Sequence, residues 1–308
     1  MKLNELKTMT KLLLKIFFII TLYLLVPMFD SSFAYQKTSS ICTPGLERIN
    51  SIANIDRGFY VYKPANYCDG SNSYYPSIYL IPGTKNSANN WIIQDNNHVD
   101  ITKLAEDLVK NNSLKPTIFI IADYSPNNNY WFCSNMYNSS SFQEEDVLTK
   151  NLIPYINNNY RVIDNPKERA VMGVSMGGFC AAYLTLKHPD LFNNFVSLSG
   201  FFMVNDHNAI YCSWINGWVG NLCNYFGNNK DYWNANSPLW LATLVNNPSQ
   251  IHALIINSVF NDFPADYFVA TLQNSGFDVT YNAYPGRHGW GFWSQHYTEA
   301  LNFLNKYW

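Results

Sequence analysis

Ala170-Val171-Met172-Gly173-Val174-Ser175-Met176-Gly177-Gly178-Phe179 is the stretch that decides the fold. The apolar run 170–174 reads as a strand covered on both faces. It passes into G-x-S-x-G, here with one further glycine. The apolar stretch 179–187 then has helical spacing and stops at His188-Pro189. A serine set between a strand and a helix in this way sits on a sharp, strained turn. Glycines two residues before and two after it let the backbone pass closely. The hydroxyl projects at the N-terminus of the helix, where free N–H groups and the helix dipole favour a negative oxygen. Ser175 is therefore the expected nucleophile.

A serine hydroxyl is a weak nucleophile without a base beside it. In the strand–serine–helix context the partners follow in the order acid, then histidine. His188 ends the elbow helix, His207 lies in an irregular stretch, His252 opens a strand and His296 falls in the last helix. His288 alone occupies a loop between a late strand and the final helix. Its surroundings, Pro285-Gly286-Arg287-His288-Gly289-Trp290, let the imidazole reach back, so His288 is the expected base. Asp262 directly follows the preceding strand and is the expected acid; Asp266, in the first turn of a helix, is the alternative. For the oxyanion, one backbone donor is expected at Met176 and a second at Thr84, in the turn Ile81-Pro82-Gly83-Thr84 after an early strand. Such two-step acyl transfer calls for no metal and no cofactor, and none is expected.

Outward from this motif, residues 78–81, 117–122, 170–174, 195–198, 253–259 and 279–284 read as strands. Residues 100–111, 179–187, 263–275 and 295–306 read as helices, as does a stretch from a capping box at Ser141-Phe142-Gln143-Glu144 to about residue 157. Alternation of this kind predicts a doubly wound, mostly parallel α/β sheet with helices on both faces. Residues 201–242 break the rhythm and are rich in Trp, Tyr, Asn and Gly. They are expected to form a lid-like or loop insertion. Trp214, Trp218, Tyr225, Tyr232, Trp233 and Trp240 either line an acyl or sugar pocket or pack the insertion onto the sheet. Trp290, Trp293 and Trp91 are the candidate substrate-facing residues.

The chain has 308 residues, 14% of them charged, and a formal net charge of −2, with no Lys/Arg run outside the N-terminal segment. A nucleic-acid partner would need a basic face and is not expected. Lys2, Lys7, Lys11 and Lys15 precede an apolar run at 16–29, and Ser32-Phe33-Ala34 offers a small-x-small cleavage site. Residues 1–34 thus read as a secretory signal peptide, too short in its apolar run to span a membrane, and 35–308 as the working domain, secreted or periplasmic. The six cysteines, at 42, 68, 133, 180, 212 and 223, all lie beyond that segment, where disulfides persist. Spacing favours Cys212–Cys223 and Cys42–Cys68 without deciding among the fifteen pairings. Cys180, on the elbow helix, reads as a small buried hydrophobe rather than a reactive thiol.

Several blocks together resemble the esterase D family, which takes in feruloyl and acetyl-xylan esterases, S-formylglutathione hydrolases, siderophore esterases and the antigen 85 mycolyltransferases. They are Phe59 to Pro64, Ile153-Pro154-Tyr155-Ile156 with Tyr160-Arg161-Val162, Arg169, Gly173 to Gly178, Lys187 to Phe192, Tyr225-Phe226-Gly227 with Ser237-Pro238, and Gly286-x-His288-x-Trp290-x-x-Trp293. The resemblance implies the α/β-hydrolase fold, Ser175 as nucleophile, His288 as base and Asp262 as acid. It implies a carboxylic-ester hydrolase acting on a small-molecule, carbohydrate-linked or lipid ester, with acyl transfer to an alcohol as the alternative. A catalytically inactive binding protein is a further alternative, against which the complete Ser, Asp, His set argues. Relatives tend to carry a glycine shortly before the acid, where this chain has Ser258-Val259-Phe260-Asn261. They often have His-Gly or Asp-Gly where it has Pro82-Gly83.

Overall fold

The computed structural model describes residues 42–50, 52, 58–123, 133–140, 143–202, 226–227 and 229–308. The chain divides into two units, Met1–Cys42 and Thr43–Trp308. All but the last residue of the first unit, including the 1–34 segment read as a signal peptide, lies outside the described residues. The second unit holds the whole sheet and every candidate site residue.

Eight strands form one sheet: β1 (Gly45–Ile49), β2 (Phe59–Lys63), β3 (Ser77–Ile81), β4 (Ile118–Ala122), β5 (Arg169–Val174), β6 (Asn194–Leu198), β7 (His252–Ser258) and β8 (Asp278–Tyr284). Their spatial order is β1-β2-β4-β3-β5-β6-β7-β8. The β1–β2 and β2–β4 pairs are antiparallel; every other pair is parallel. All six strands expected from the sequence are present within a residue or two. The order reverses direction around β3, β4 and β5, and in open α/β sheets the crevice at the carboxyl ends beside such a switch is where ligands bind.

The central strands are buried on both faces, which is why they read as unbroken apolar runs. Alternation splits each between two cores. Ile118 and Ile120 of β4 and Val171 of β5 enter the core on one face, with α2 (Ile153–Asn159), α3 (Met176–Lys187) and α4 (Asp266–Ser275). Phe119 and Ile121, with Ala170, Met172 and Val174, enter the other, with α1 (Ile101–Lys110) and α5 (Tyr297–Asn305). Helix α3 is buried all round from Met176 to Leu186, which its lack of a polar stripe requires. In contrast, α1 is amphipathic and capped by Asp100, whose carboxylate accepts from the N–H groups of Thr102 (3.0 Å) and Lys103 (3.4 Å). Helix α4 closes at Gly276 in the left-handed conformation (φ 89°).

Three expectations need correction. The helix expected from a capping box at Ser141 begins at Glu144, with Gln143 at its N-cap position and no side-chain cap bond; Ser141 and Phe142 lie outside the described residues. It runs through a π-helical stretch, Val147–Leu152, before α2. Cys180 is buried but is not a lone hydrophobe, because it forms a disulfide with Cys133. Cys42 and Cys68 are each disulfide-bonded, while Cys212 and Cys223 lie outside the described residues. Trp91 has no exposed surface. The core between α1, α5 and the sheet outcompeted any pocket for its large apolar area.

Of the aromatic stretch 201–242, residues 203–225 and 228 lie outside the described residues, Trp214, Trp218 and Tyr225 among them. The rest packs mostly on the core. Phe201 stacks on Phe179 of the elbow helix (5.1 Å), Phe202 stacks on Phe268 (4.2 Å), and Trp233 is fully buried against Phe226. Trp240 stays about half exposed. Among the described residues no helix is long and apolar enough to cross a membrane.

Candidate active site

Strand β5 ends at Val174, and the chain turns directly into α3 through Ser175, whose φ of 55° and ψ of −117° lie outside the regions open to most L residues. Such a conformation costs on the order of 1–3 kcal/mol and persists only where the surroundings over-determine it. Here they do: the Ser175 N–H donates to Leu198 O of β6 (2.8 Å), and its carbonyl accepts from Gly178 N–H (2.9 Å). The glycines are needed for close approach. A Cβ on Gly173 would fall 2.0 Å from the Gly177 carbonyl oxygen, and one on Gly177 would fall 2.0 Å from that of Ile81. Packing of β3, β5 and α3 at this distance leaves no room for any side chain there.

Three loops at the carboxyl ends of the strands bring the remaining residues to Ser175. His288, after β8, places Nε2 2.9 Å from Ser175 Oγ and Nδ1 2.7 Å from Asp262 Oδ1. Asp262 follows β7. Its side chain is 1% exposed, and its second oxygen accepts from the Ser258 N–H at 2.5 Å. The Nδ1–H donated to a buried carboxylate leaves Nε2 free to accept the serine proton. Asp266 instead lies exposed in the first turn of α4. The Tyr281 phenol nearby is held above its ordinary pKa by burial and by the Asp266 and Asp262 carboxylates.

The N–H of Met176 is the first of α3 and has no earlier helical turn to donate to. The Pro82-Gly83-Thr84 turn lies alongside: a Cβ on Gly83 would sit 3.3 Å from Ser175 Cβ. Trp293 is buried, packs perpendicular to the His288 ring (5.0 Å) and donates its indole N–H to Ser199 Oγ (2.8 Å). Trp290 is half-buried, packs edge-on to Trp293 (5.3 Å) and donates its indole N–H to Asn86 Oδ1. Trp91, behind it, meets Trp290 edge-on (5.3 Å) and stacks on Tyr297 (5.3 Å), so it supports the site wall from the core. Among the described residues no group of three or more His, Cys, Asp or Glu side chains could hold a metal ion.

The family model described as Putative esterase matches residues 50–304, which takes in every one of these loops. The chain belongs to that family. Its likeness to curated relatives is partial. It is 31% identical over 144 residues to an endo-1,4-beta-xylanase/feruloyl esterase of Xylanibacter ruminicola, covering 46% of this chain and 19% of that protein. It is 27% identical over 192 residues to the diacylglycerol acyltransferase/mycolyltransferase Ag85A of Mycobacterium leprae, covering 54% of this chain and 57% of that one. The chain thus spans less than two thirds of either. A solved ferulic acid esterase matches with a TM-score of 0.68 at 18% identity, over 85% of this chain and 98% of that one, which shows the shared α/β-hydrolase fold.

Sequence reasoning passed over two residues of this esterase-family site. Ser199, which receives the Trp293 indole, follows β6 as Ser175 follows β5. It too has a left-handed backbone (φ 57°) and donates its N–H to the next strand, at Ile256 O (2.7 Å). Asn86 binds the histidine loop to the Thr84 turn. An Asn just past a Pro-Gly turn is a familiar turn partner, but nothing local points to a tryptophan 204 residues away.

Proposed function

We propose that the chain is an exported serine carboxylic-ester hydrolase in which Ser175, His288 and Asp262 perform acyl-enzyme chemistry. The observation that carries this reading is the unbroken hydrogen-bonded line from Asp262 through His288 to Ser175 Oγ, at 2.7 and 2.9 Å, on a strained elbow. His288 Nε2 takes the Ser175 proton as Oγ attacks the ester carbonyl. The tetrahedral oxyanion is received by the N–H groups of Met176 and Thr84. His288, its imidazolium stabilised by Asp262, then protonates the leaving alcohol, and a water activated by His288 releases the acid and restores Ser175. Export is supported by the charged and apolar pattern of residues 1–34 and by the disulfides, which last in oxidising compartments.

The substrate proposed is a small-molecule, carbohydrate-linked or lipid ester. The feruloyl esterase relative favours the carbohydrate-linked class. Partial likeness to a mycolyltransferase supports a second reading, in which an alcohol rather than water takes the acyl group. Hydrolysis of short p-nitrophenyl esters by residues 35–308 tests the first. Turnover and fluorophosphonate labelling that vanish in Ser175→Ala are expected; a wild-type protein with neither would overturn the esterase reading. Product analysis with added sugar or lipid alcohol separates transfer from hydrolysis.

A further inference from the structure

Asn86 ties the turn that carries Thr84 at two points. Its main-chain N–H donates to Gly83 O (3.1 Å), and its side-chain amide donates to Thr84 O (3.0 Å). In a planar trans peptide the C=O and N–H point in opposite directions. Tying the Gly83 carbonyl to Asn86 therefore turns the Thr84 N–H away from Asn86. Between them Lys85 takes a left-handed φ of 63°, which L side chains rarely adopt. A turn so strained holds one peptide orientation only where neighbours over-determine it, and strain of this kind collects at functional sites.

The other end of the same side chain faces the histidine loop. Asn86 Oδ1 accepts the indole N–H of Trp290, two residues beyond His288. Trp290 is itself boxed by Trp91 and Trp293, both edge-on at 5.3 Å, and by His98 at 5.4 Å. His98 is fixed in turn by Asp95 (2.9 Å) and by Asn90 (3.4 Å). The amide of Asn86 thus has both its polar atoms engaged, one on each of two loops that meet at Ser175.

We propose that Asn86 is a positioning residue: it aims the Thr84 N–H at the oxyanion and locks that turn in register with the loop that carries His288. This role rests on the esterase reading above. An N–H aimed at a developing oxyanion binds the transition state more than the substrate, so its misplacement lowers kcat and leaves KM nearly unchanged.

The test compares Asn86→Ala, Asn86→Asp, Trp290→Phe and the Asn86→Ala/Trp290→Phe double variant in residues 35–308. The readouts are kcat and KM on p-nitrophenyl acetate, the rate of fluorophosphonate labelling and the melting temperature. Asn86→Ala is expected to lower kcat about 10- to 100-fold, with KM within about threefold and labelling slowed in proportion. Trp290→Phe, which keeps an aromatic ring and loses the N–H, is expected to lower kcat by about three- to tenfold, and the double variant to be no slower than Asn86→Ala, since Trp290→Phe removes only a bond that Asn86→Ala has already lost. A kcat within about twofold of wild type in Asn86→Ala, a loss carried by KM, or losses that multiply in the double variant would overturn the role. If Asn86→Ala does not fold, Asn86→Asp decides in its place: it keeps the acceptor for Trp290, lacks the donor to Thr84 O, and carries the same two outcomes. An active wild type with unaltered Asn86 variants sinks this role alone. A wild type with neither turnover nor labelling sinks the esterase reading and takes this role with it.

Discussion

The elbow helix α3 carries a carboxylate–histidine pair at each end, and the two are built for different ends. At its N-terminus Asp262 holds His288 at 2.7 Å, and the other imidazole nitrogen reaches Ser175. At its C-terminus Glu145 holds His188 at 2.8 Å, but its second oxygen is taken by Lys187 Nζ (2.8 Å) and the Tyr183 hydroxyl (2.5 Å), and both of these also meet Asn236 Oδ1. Burial pushes the Glu145 carboxyl up, yet the hydrogen bonds from His188, Lys187 and Tyr183 and the Lys187 charge outweigh it and hold the pKa down to about 2. Cations suit a helix C-terminus, and a developing oxyanion suits the N-terminus. A carboxylate–histidine pair is thus not in itself a reactive centre. The two pairs differ in what surrounds them: His288 reaches a serine hydroxyl at the helix N-terminus, whereas Glu145 at the C-terminus is shared among His188, Lys187 and Tyr183.

Disabling each end of α3 in turn should have opposite consequences. Ser175→Ala or His288→Ala is expected to reduce p-nitrophenyl acetate turnover by about 10⁴-fold or more with little change in melting temperature. Glu145→Gln should leave turnover per folded molecule within about threefold. Comparable activity losses at both ends would abolish the distinction. Between the ends, Cys180 ties the helix to Cys133 across a sequence separation of 47. Replacing both cysteines by alanine is expected to cost about 4 kcal/mol from chain entropy, read by urea unfolding. A loss below about 1 kcal/mol would mean that packing alone holds the segment.

Glu145→Ala leaves Lys187 and His188 without their carboxylate and should cost about 2–4 kcal/mol by the same measurement, against near-zero for the exposed Asp266→Ala. The pH dependence sharpens the point further. The folded pKa of Glu145 lies below its ordinary 4.5, so its stabilisation is complete above that value and drains away as pH falls towards about 2. It amounts to about 3 kcal/mol at most. The stability gap between wild type and Glu145→Gln should therefore be constant above about pH 5 and close between there and pH 2; a gap that persists at pH 2 would contradict the assignment. A smaller loss of activity than at Ser175 or His288 is expected from Trp293→Phe, which keeps an aromatic ring against His288 and loses the bond to Ser199: about fivefold in kcat.

Periodicity and local turn chemistry made β3 to β8, the order of the helices and the elbow at Ser175 legible in the sequence, because each depends on residues within a few positions of one another. The loop position of His288 was legible for the same reason. Position favoured Asp262 over Asp266 as the partner of His288 but left the second open: both follow β7 closely, and the packing of β7 against β8 decides which carboxylate meets the imidazole. The aromatic residues were least legible, since a tryptophan suits a pocket wall and a core equally well. Trp91 and Trp233 went to the core, while Trp290 and Trp293 reached the site. Local sequence was enough to specify a parallel α/β sheet with a strained serine after its central strand, because short-range sterics and alternation suffice for both. The Cys133–Cys180 bond, the two opposed carboxylate–histidine pairs and the bridge from Trp290 to Asn86 came only with the folded chain. Contacts between residues as far as 204 positions apart depend on how whole elements pack, and no local pattern encodes that.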